Sequence, residues 1–258
     1  MKTVMITGAT SGIGEACARK FAQGGYRLII TGRNNEKLDA LKKELSATGT
    51  EVTALTFDVR DRKAAEEAIK GLTAEWEVID VLINNAGLAL GLDKEYEGSL
   101  DDFETMIDTN VKGLLTMTRL IVPKMVERNH GHVIDIGSVA GDAAYAGGSV
   151  YCASKAAVKC ISDGLRIDVM DTAVRVTTLK PGLVETNFSR VRFKGDNTRA
   201  DKVYEGIQPL TGDDIADTAF YCAEAPEHIQ IAEVLILATH QASGSLISRD
   251  TKRNEHLS

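Results

Sequence analysis

The chain of 258 residues is long enough for one large α/β domain or two small ones, and we favour a single domain. Hydrophobic residues make up 43% of the chain and charged residues 26%, which argues against a disordered or fibrous protein. A formal net charge of −7 argues against nucleic acid or an anionic membrane as a partner, because neither is attracted to such a surface, and a small molecule is the expected partner.

The cysteines and the apolar segments indicate the compartment. Neither a CxxC pair nor the spacing of metal ligands occurs among Cys17, Cys152, Cys160 and Cys222, which suits a reducing environment. The apolar run near the N-terminus is too short for a signal peptide, and no segment approaches the ~18 consecutive apolar residues that cross a membrane. We therefore expect a cytoplasmic protein without a metal site.

The first predicted strand, residues 3–7, runs into a glycine-rich turn. Gly8, Gly12 and Gly14 have the spacing GxxxGxG, and a helical pattern follows at once. Such glycines let the backbone approach a pyrophosphate, while the start of the helix offers unpaired N–H groups and the positive end of its dipole. A glycine cluster alone is also compatible with a simple tight turn, but the strand before it and the helix after it favour dinucleotide binding.

The second predicted strand, residues 26–31, is followed by Arg33. A dinucleotide fold that prefers NAD places Asp or Glu roughly 20 residues beyond the glycines, and this chain has no acidic residue at that point. A guanidinium suits a 2′-phosphate, so Arg33 predicts NADP rather than NAD. The alternative is that Arg33 merely faces solvent at a turn.

The third predicted strand, residues 52–57, precedes Asp58 and Val59. A carboxylate at this point could accept a hydrogen bond from the exocyclic amine of adenine, and the backbone that follows could line the ring. Asp58 could instead, or in addition, cap the helix predicted at residues 63–72.

The fourth predicted strand, residues 78–83, is followed within two residues by Asn85, Ala86 and Gly87. Continuous apolar strands that alternate with amphipathic helices predict a parallel sheet covered on both faces. Ligands of such sheets bind beyond the carboxyl ends of the strands, which is where each of these motifs lies.

A long helix is predicted at residues 99–128, and Asn110 lies within its apolar stripe. Because asparagine is unfavourable in a helix interior, it either caps a local bend or takes part in chemistry. Ser138 follows the apolar run of residues 133–137, which we interpret as a strand that ends at the site. Its hydroxyl could hold a substrate oxygen.

Tyr151 and Lys155 are four residues apart, so on a helix their side chains leave the same face, roughly 5–6 Å apart at Cβ. A phenol titrates near ~10, and an ammonium group nearby favours the phenolate, so Lys155 is expected to lower the pKa of Tyr151. The pair would then exchange protons at a substrate oxygen beside Ser138. The alternative is an ordinary surface pair, because YxxxK alone is a weak signal.

The connection between the strand predicted at residues 174–179 and the next helix is long enough to form a lid. Arg190 and Arg192 lie two residues apart within it. In an extended segment they would share a face, and one of them could bind a substrate carboxylate through two hydrogen bonds. The alternative is a solvated basic patch. A final strand is predicted at residues 232–237.

Taken in order, these motifs resemble the short-chain dehydrogenases/reductases. The resemblance rests on Thr7-Gly8, Gly12-x-Gly14, Asn84-Asn85-Ala86-Gly87, Asn110, Ser138, Tyr151-xxx-Lys155 and Pro181-Gly182. It implies an α/β fold with a single Rossmann-type domain, a doubly wound seven-stranded parallel sheet with helices on both faces, a nicotinamide cofactor and a homotetramer. We assign residues 1–248 to this domain, with a substrate lid at about residues 183–212, and residues 249–258 to a polar tail.

The resemblance also implies roles for the site residues. Tyr151 takes the hydroxyl proton as hydride leaves for the nicotinamide and returns it in the reverse direction. Lys155 holds the nicotinamide ribose, Ser138 orients the substrate oxygen, and Asn110 holds a water that links the lysine to solvent. The further cofactor contacts that it implies are Thr10, Ser11, Ile13, Pro181, Gly182, Val184 and Thr186.

A closer resemblance, to the NADP-dependent 3-hydroxy acid dehydrogenases, rests on residues 89–91, 106–110, 127–132 and 188–196. Those enzymes oxidise serine, allo-threonine and related acids, so the expected substrate is a short 3-hydroxy acid of the serine, allo-threonine or 3-hydroxypropionate type. The loop at residues 183–188 is one residue shorter than in those enzymes. Two alternatives stay open: another short-chain reductase acting on a 3-oxoacyl, sugar or steroid carbonyl, and a non-catalytic regulator that senses NADP(H).

Overall fold

The sheet of the computed structural model is parallel throughout, and the residues that the structure describes are 1–249. Its strands are β1 (Thr3–Ile6), β2 (Arg27–Gly32), β3 (Val52–Thr56), β4 (Val81–Asn84), β5 (Gly131–Ile136), β6 (Val174–Pro181) and β7 (Glu233–Ile236). They lie in the order β3-β2-β1-β4-β5-β6-β7. The predicted doubly wound, seven-stranded parallel sheet is confirmed. Apart from Arg249, the predicted tail at 249–258 lies outside the described residues.

Helices connect the strands and cover the sheet. They are α1 (Gly12–Gln23), α2 (Asn35–Ser46), α3 (Arg62–Lys70), α4 (Leu100–Ile107), α5 (Leu114–Glu127), α6 (Ser149–Asp168), α7 (Phe188–Arg192), α8 (Asn197–Lys202) and α9 (Gly212–Glu224). Within residues 1–249, none of them combines the length and the apolar character that a membrane span requires.

Alternate residues of each central strand face two separate cores. Val4 and Ile6 of β1 pack with buried residues of α1, α2 and α9, whereas Met5 packs with buried residues of α3 and α5. Successive side chains of a strand point to opposite faces of the sheet, so a strand covered on both sides must be apolar at every position. This is why the strands appear in the sequence as unbroken apolar runs.

The predicted long helix at residues 99–128 is two helices. A π-helical segment, Asp108–Gly113, separates α4 from α5, and Asn110 lies inside it. The wider turn lets the Asn110 side chain leave the helix and bond both backbone polar groups of Leu88. Single π turns of this kind are frequent at functional sites.

Two further expectations are corrected. Asp58 does not cap the helix that follows it, because the N-cap of α3 is Asp61, whose carboxylate accepts from the Ala64 N–H at 3.0 Å. The lid predicted without regular structure contains α7 and α8, and Arg190 and Arg192 lie in the first of them. Residues two apart on a helix do not share a face, so the two arginines point differently.

Candidate active site

A cavity of about 260 Å³ lies at the carboxyl ends of the central strands. The predicted residues that line it are Gly8, Thr10, Ser11, Gly12, Ile13, Arg33, Asp58, Val59, Asn85, Ala86, Gly87, Ser138, Tyr151, Lys155, Pro181, Gly182, Val184 and Thr186. The lining residues that the sequence did not indicate are Thr31, Gly32, Phe57, Leu88, Thr109, Ile136, Gly137, Asn187, Phe188 and Val191. Most of these residues are sequence neighbours of predicted ones, so they could have been found by extending each motif by one or two residues. Phe188 and Val191 come from the lid helix, and no local pattern marks them.

The glycine turn after β1 forms a cradle that any side chain would fill. Gly8 and Gly12 have φ angles of +66° and +56°, in the region that favours glycine. A Cβ on Gly8 would lie 3.0 Å from the Cα of Ala86, and a Cβ on Gly14 would lie 2.4 Å from the carbonyl oxygen of Gly8. Ser11 is the N-cap of α1 and its hydroxyl makes no capping bond. This close, N–H-rich surface fits a pyrophosphate.

Hydrogen bonds of the Thr7 and Asn85 side chains hold the glycine turn in place. The hydroxyl oxygen of Thr7 accepts from the N–H groups of Asn85 and Ala86, both at 3.0 Å. The Asn85 amide donates in return to the carbonyl oxygens of Thr7 and Gly8, at 2.9 and 3.1 Å. Segments after β1 and β4 are thereby locked together, which explains why the motif needs an asparagine at this position.

Arg33 lies at the edge of the cavity with 61% of its side chain exposed. Its guanidinium is 3.7 Å from the Asp58 carboxylate, which is held more tightly by the Arg60 guanidinium at 2.7 Å. Burial acts to raise the pKa of Asp58, but the hydrogen bonds from Arg60 outweigh it and hold the pKa below its ordinary value. Asp58 is therefore ionised at neutral pH, and Arg33 keeps donors for a phosphate group.

Asn110 is buried behind the cavity. Its side-chain N–H₂ group donates to the carbonyl oxygen of Leu88 at 2.8 Å and to the hydroxyl of Ser154 at 3.0 Å. A Cβ on Gly87 would lie 3.2 Å from the Asn110 side-chain oxygen and 3.5 Å from the Lys155 amine. Gly87 therefore allows these two polar groups to approach the same point.

Ser138 caps a short 3-10 turn, Val139–Gly141, that follows β5. Its hydroxyl oxygen accepts from the Ala140 N–H at 3.1 Å, and a longer contact of 3.5 Å joins it to the carbonyl oxygen of Pro181. The capping bond fixes the Ser138 hydroxyl oxygen beyond the carboxyl end of β5, beside the Tyr151 hydroxyl.

Tyr151 and Lys155 lie one turn apart on α6, as predicted, and both are almost fully buried. Burial raises the pKa of the Tyr151 hydroxyl well above its ordinary value, although a hydrogen bond from Ser138 and the charge of Arg192 oppose the rise. The net pKa of this phenol is therefore raised rather than lowered, because burial dominates, and the cation that opposes the rise is Arg192. The predicted effect of Lys155 on the phenol stays a prediction.

The Lys155 amine has a different partner. It donates to the carbonyl oxygen of Ile136 at 2.8 Å. Burial lowers the pKa of Lys155 to about 8, while the nearby Asp135 carboxyl group acts in the opposite direction. The amine is thus mostly protonated at neutral pH and can lose its proton in mildly alkaline solution.

The two lid arginines have different surroundings. Neither arginine lines the cavity described above. Arg190 is exposed, whereas Arg192 lines a small adjacent pocket together with Tyr151. Arg192 donates through Nε to the carbonyl oxygen of Gly91 and through Nη1 to the Tyr145 hydroxyl, both at 3.0 Å. Its guanidinium carbon is 5.7 Å from the centroid of the Tyr151 ring, and its Nη2 group makes no hydrogen bond to the described part of the chain. Of the two arginines, Arg192 is therefore the one that lies beside Tyr151.

The lid is fastened over the site by a reciprocal pair of hydrogen bonds. The Gly91 N–H donates to the backbone carbonyl oxygen of Arg192 at 2.9 Å, while the Gly91 carbonyl oxygen accepts from the same residue's side chain. Gly91 has a φ angle of +67°, which suits glycine. Phe188 packs its ring 5.7 Å from that of Tyr151 and closes the cavity from the lid side.

Comparisons with known proteins agree with this geometry. Residues 2–197 match the family model described as short chain dehydrogenase. The NADP-dependent 3-hydroxy acid dehydrogenase of Salmonella typhi is 51% identical over 244 residues, which is 94% of this chain and 97% of that protein. The protein of the same description from Schizosaccharomyces pombe is 42% identical over 250 residues, or 96% of each chain.

Two solved structures extend the likeness to three dimensions. One is described as the closed form of serine dehydrogenase complexed with NADP+; it has a TM-score of 0.90 and 48% identity, and covers 95% of this chain and 98% of that chain. The other is serine dehydrogenase from Escherichia coli, with a TM-score of 0.81 and 44% identity; the match covers 93% of this chain and 99% of that chain.

Proposed function

Because this chain belongs to the short-chain dehydrogenase family, we propose that it interconverts a short 3-hydroxy acid and the corresponding 3-oxo acid or semialdehyde. The protein is an NADP-dependent oxidoreductase. We propose acids of the serine, allo-threonine and 3-hydroxypropionate type as its substrates. The similar proteins named above as 3-hydroxy acid and serine dehydrogenases support this choice.

The residues of the cavity fit NADP(H). The glycine cradle would hold the pyrophosphate, Arg33 the 2′-phosphate, and Asp58 with Val59 the adenine. Lys155 would hold the nicotinamide ribose. When bound, the nicotinamide supplies the chemistry that the side chains lack, because it accepts or donates a hydride.

Tyr151 is the proposed acid and base. In oxidation, its oxygen accepts the substrate hydroxyl proton as the carbonyl forms, and in reduction its hydroxyl returns a proton to the carbonyl oxygen. Since burial raises the pKa of Tyr151, the phenol form prevails at neutral pH and is ready for reduction. Ser138, whose oxygen is fixed by the Ala140 N–H, would hold the substrate oxygen beside it.

Lys155 and Asn110 are proposed to complete the proton path. Both approach Gly87, the lysine with its amine and the asparagine with its side-chain oxygen. A water held at Asn110 would pass protons between Lys155 and solvent, so that Tyr151 is reset after each turnover.

The observation that carries the choice of substrate is the position of Arg192. Its guanidinium lies over the Tyr151 ring, and its Nη2 group has no hydrogen-bond partner among residues 1–249, so a molecule whose hydroxyl contacts Tyr151 also meets a cation. A carboxylate is the group that such a guanidinium binds best. A long apolar substrate would find Phe188 and the charged side chain of Arg192 in its way. We accordingly propose residues 183–212 as the lid of a domain that spans residues 1–248.

Initial rates test this function. Serine, threonine isomers, 3-hydroxybutyrate, 3-hydroxyisobutyrate and simple alcohols are compared with NADP+ and with NAD+. We expect turnover of the short 3-hydroxy acids with NADP+, and loss of turnover in Tyr151→Phe while NADPH binding, measured by fluorescence, persists. Turnover of simple alcohols in preference to the acids would contradict the substrate, and an active Tyr151→Phe would contradict the chemistry.

We also propose a cytoplasmic homotetramer. Cys17, Cys152, Cys160 and Cys222 are all free thiols, which suits a reducing compartment. The edge strand β7 carries an exposed apolar residue, Leu235, with 48% exposure, as expected of a strand that pairs across an interface. Light scattering after gel filtration measures the mass in solution, and a monomer would contradict the assembly.

A further inference from the structure

Lys180 is a nearly buried cation outside the reaction chemistry. Its side chain is 7% exposed, and its amine lies 2.8 and 2.9 Å from the two carboxylate oxygens of Asp142 and 2.7 Å from that of Glu233. Burial opposes the charge, but the two carboxylates outweigh it and raise the pKa of Lys180 above its ordinary value. One ammonium therefore joins two acidic groups from different parts of the fold.

Two of the three residues, Lys180 and Glu233, lie on strands, and the third, Asp142, lies on a loop. Lys180 lies on β6, directly before Pro181 of the cavity wall, and Glu233 is held on β7 by its register with Thr178. Asp142, in contrast, directly follows the 3-10 turn that Ser138 caps. Strand pairing holds Glu233, whereas Asp142 ends a single 3-10 turn and its carboxylate has no side-chain partner besides Lys180 among residues 1–249.

The stem of Lys180 reaches the other end of the same loop. A Cβ on Gly137 would lie 3.5 Å from the Cγ of Lys180, so the aliphatic part of the lysine runs beside the residue that precedes Ser138. Ser138 thus lies between Gly137, beside which the aliphatic part of Lys180 runs, and Asp142, with which the Lys180 ammonium forms an ion pair.

We propose that Lys180 is a positioning residue that clamps residues 137–142, and with them the Ser138 hydroxyl, against β6 and β7. Without the ammonium, the Asp142 carboxylate loses the only side-chain partner it has among residues 1–249, whereas Glu233 keeps the Lys159 ammonium at 3.7 Å. The loop residue is therefore the one that moves. Ser138 then loses its place beside Tyr151. The inference rests on the role of Ser138 in the proposed function and is independent of which hydroxy acid is the substrate.

A double-mutant cycle between Lys180→Met and Ser138→Ala tests the clamp, with turnover of the best alcohol substrate as the readout. Since small misplacement of a reacting group is costly, we expect Lys180→Met to lower kcat about tenfold or more, with KM for NADP+ changed less than about twofold. In the Ser138→Ala background the same change should cost almost nothing, because the clamp acts through that hydroxyl. Lys180→Arg should restore most of the rate.

Two half-exposed acids supply matched variants. Asp142→Asn weakens the link to the loop and should lower kcat, whereas Glu233→Gln leaves the Lys180–Asp142 pair intact and should change kcat less than about twofold. If Lys180→Met does not fold, as judged by circular dichroism, Asp142→Asn takes its place in the cycle. Equal losses in the wild-type and Ser138→Ala backgrounds would overturn the clamp alone. A Ser138→Ala variant as active as the wild type would remove the proposed role of Ser138 and the clamp with it.

Discussion

The guanidinium of Arg192 lies over the ring of Tyr151, with 5.7 Å between its central carbon and the ring centroid. Arg192 belongs to the lid helix α7 and Tyr151 to α6, so the lid brings a positive charge to a phenol that burial keeps protonated. The same guanidinium fastens the lid to Gly91. In the proposed function, Arg192 therefore holds the lid, binds the substrate carboxylate and influences the pKa of Tyr151.

Substrate binding tests the assignment of the two lid arginines. Arg192→Met removes a charge-assisted hydrogen bond, which is worth about 1.5–3 kcal/mol, so kcat/KM for a 3-hydroxy acid should fall by about tenfold to hundredfold. Arg190→Met changes an exposed residue of the same helix and should have little effect. Initial rates with a 3-hydroxy acid and with a neutral alcohol separate carboxylate binding from lid closure. A larger loss in Arg190→Met would reverse the assignment.

The pH profile tests the coupling of Arg192 to the phenol. If the phenolate is the base, as proposed, the rate of oxidation should rise with pH toward the raised pKa of Tyr151. The charge of Arg192 favours the phenolate, so its removal in Arg192→Met should raise the pKa further and move the rising limb to higher pH. Profiles of kcat for the neutral alcohol measure this shift. A limb that moves to lower pH would show that Arg192 does not stabilise the phenolate.

Cofactor choice tests Arg33. Arg33→Asp replaces the cation expected at the 2′-phosphate by a repelling charge, and kcat/KM should fall by about a hundredfold for NADP+ and far less for NAD+. Arg60→Ala is the matched variant, since Arg60 holds Asp58 and lies outside the cavity lining. It should affect both cofactors alike. Equal losses with NADP+ and NAD+ in Arg33→Asp would mean that the 2′-phosphate binds elsewhere.

The strand-end motifs could be predicted from the sequence because each is a local pattern. A glycine turn, an asparagine pair and a serine that follow apolar runs must meet at one edge once the strands are parallel. A carboxylate-binding arginine in the lid could be predicted, but which of Arg190 and Arg192 it is could not, and neither could the position of Phe188. Both depend on a short helix that packs on Gly91 and Tyr151. The π-helical segment at Asn110 likewise depends on Leu88, a residue distant in sequence.

The pKa of Tyr151 shows the limit of reasoning from spacing. Four residues between Tyr151 and Lys155 correctly predict one helix face, but the sequence does not reveal how deeply that face is buried. Burial disfavours a charged phenolate and a charged amine alike, and here it dominates both pKa values. The protonation states of Tyr151 and Lys155 are therefore decided mainly by how deeply the two side chains are buried.

The buried Lys155 amine should lower the free energy of unfolding at neutral pH. Its pKa is about 8 when folded and ordinarily 10.5, so between these values the unfolded chain binds a proton that the folded chain lacks, and stability rises with pH there. Below pH 8 the full cost of about 3 kcal/mol applies. Lys155→Met should therefore gain about 2 kcal/mol at pH 7 after losing one hydrogen bond, and less near pH 10. Urea unfolding at both pH values measures this, and a less stable variant at pH 7 would contradict it.

His132 should make the fold sensitive to acid. It lies within β5, with Nε2 2.8 Å from the Thr177 hydroxyl and with Nδ1 lacking a partner among residues 1–249. Burial lowers the pKa of His132 to about 3, against an ordinary 6.5, so stability is unaffected above pH 6.5 and is lost as the pH falls toward 3. At pH 5 the loss should be about 2 kcal/mol. His132→Gln keeps an N–H donor and should remove that part of the acid sensitivity, whereas His130→Gln, at a half-exposed position, should not. Urea unfolding gives the free energy of unfolding at pH 7.5 and 5, and an equal loss between the two pH values in the wild type and both variants would refute the assignment.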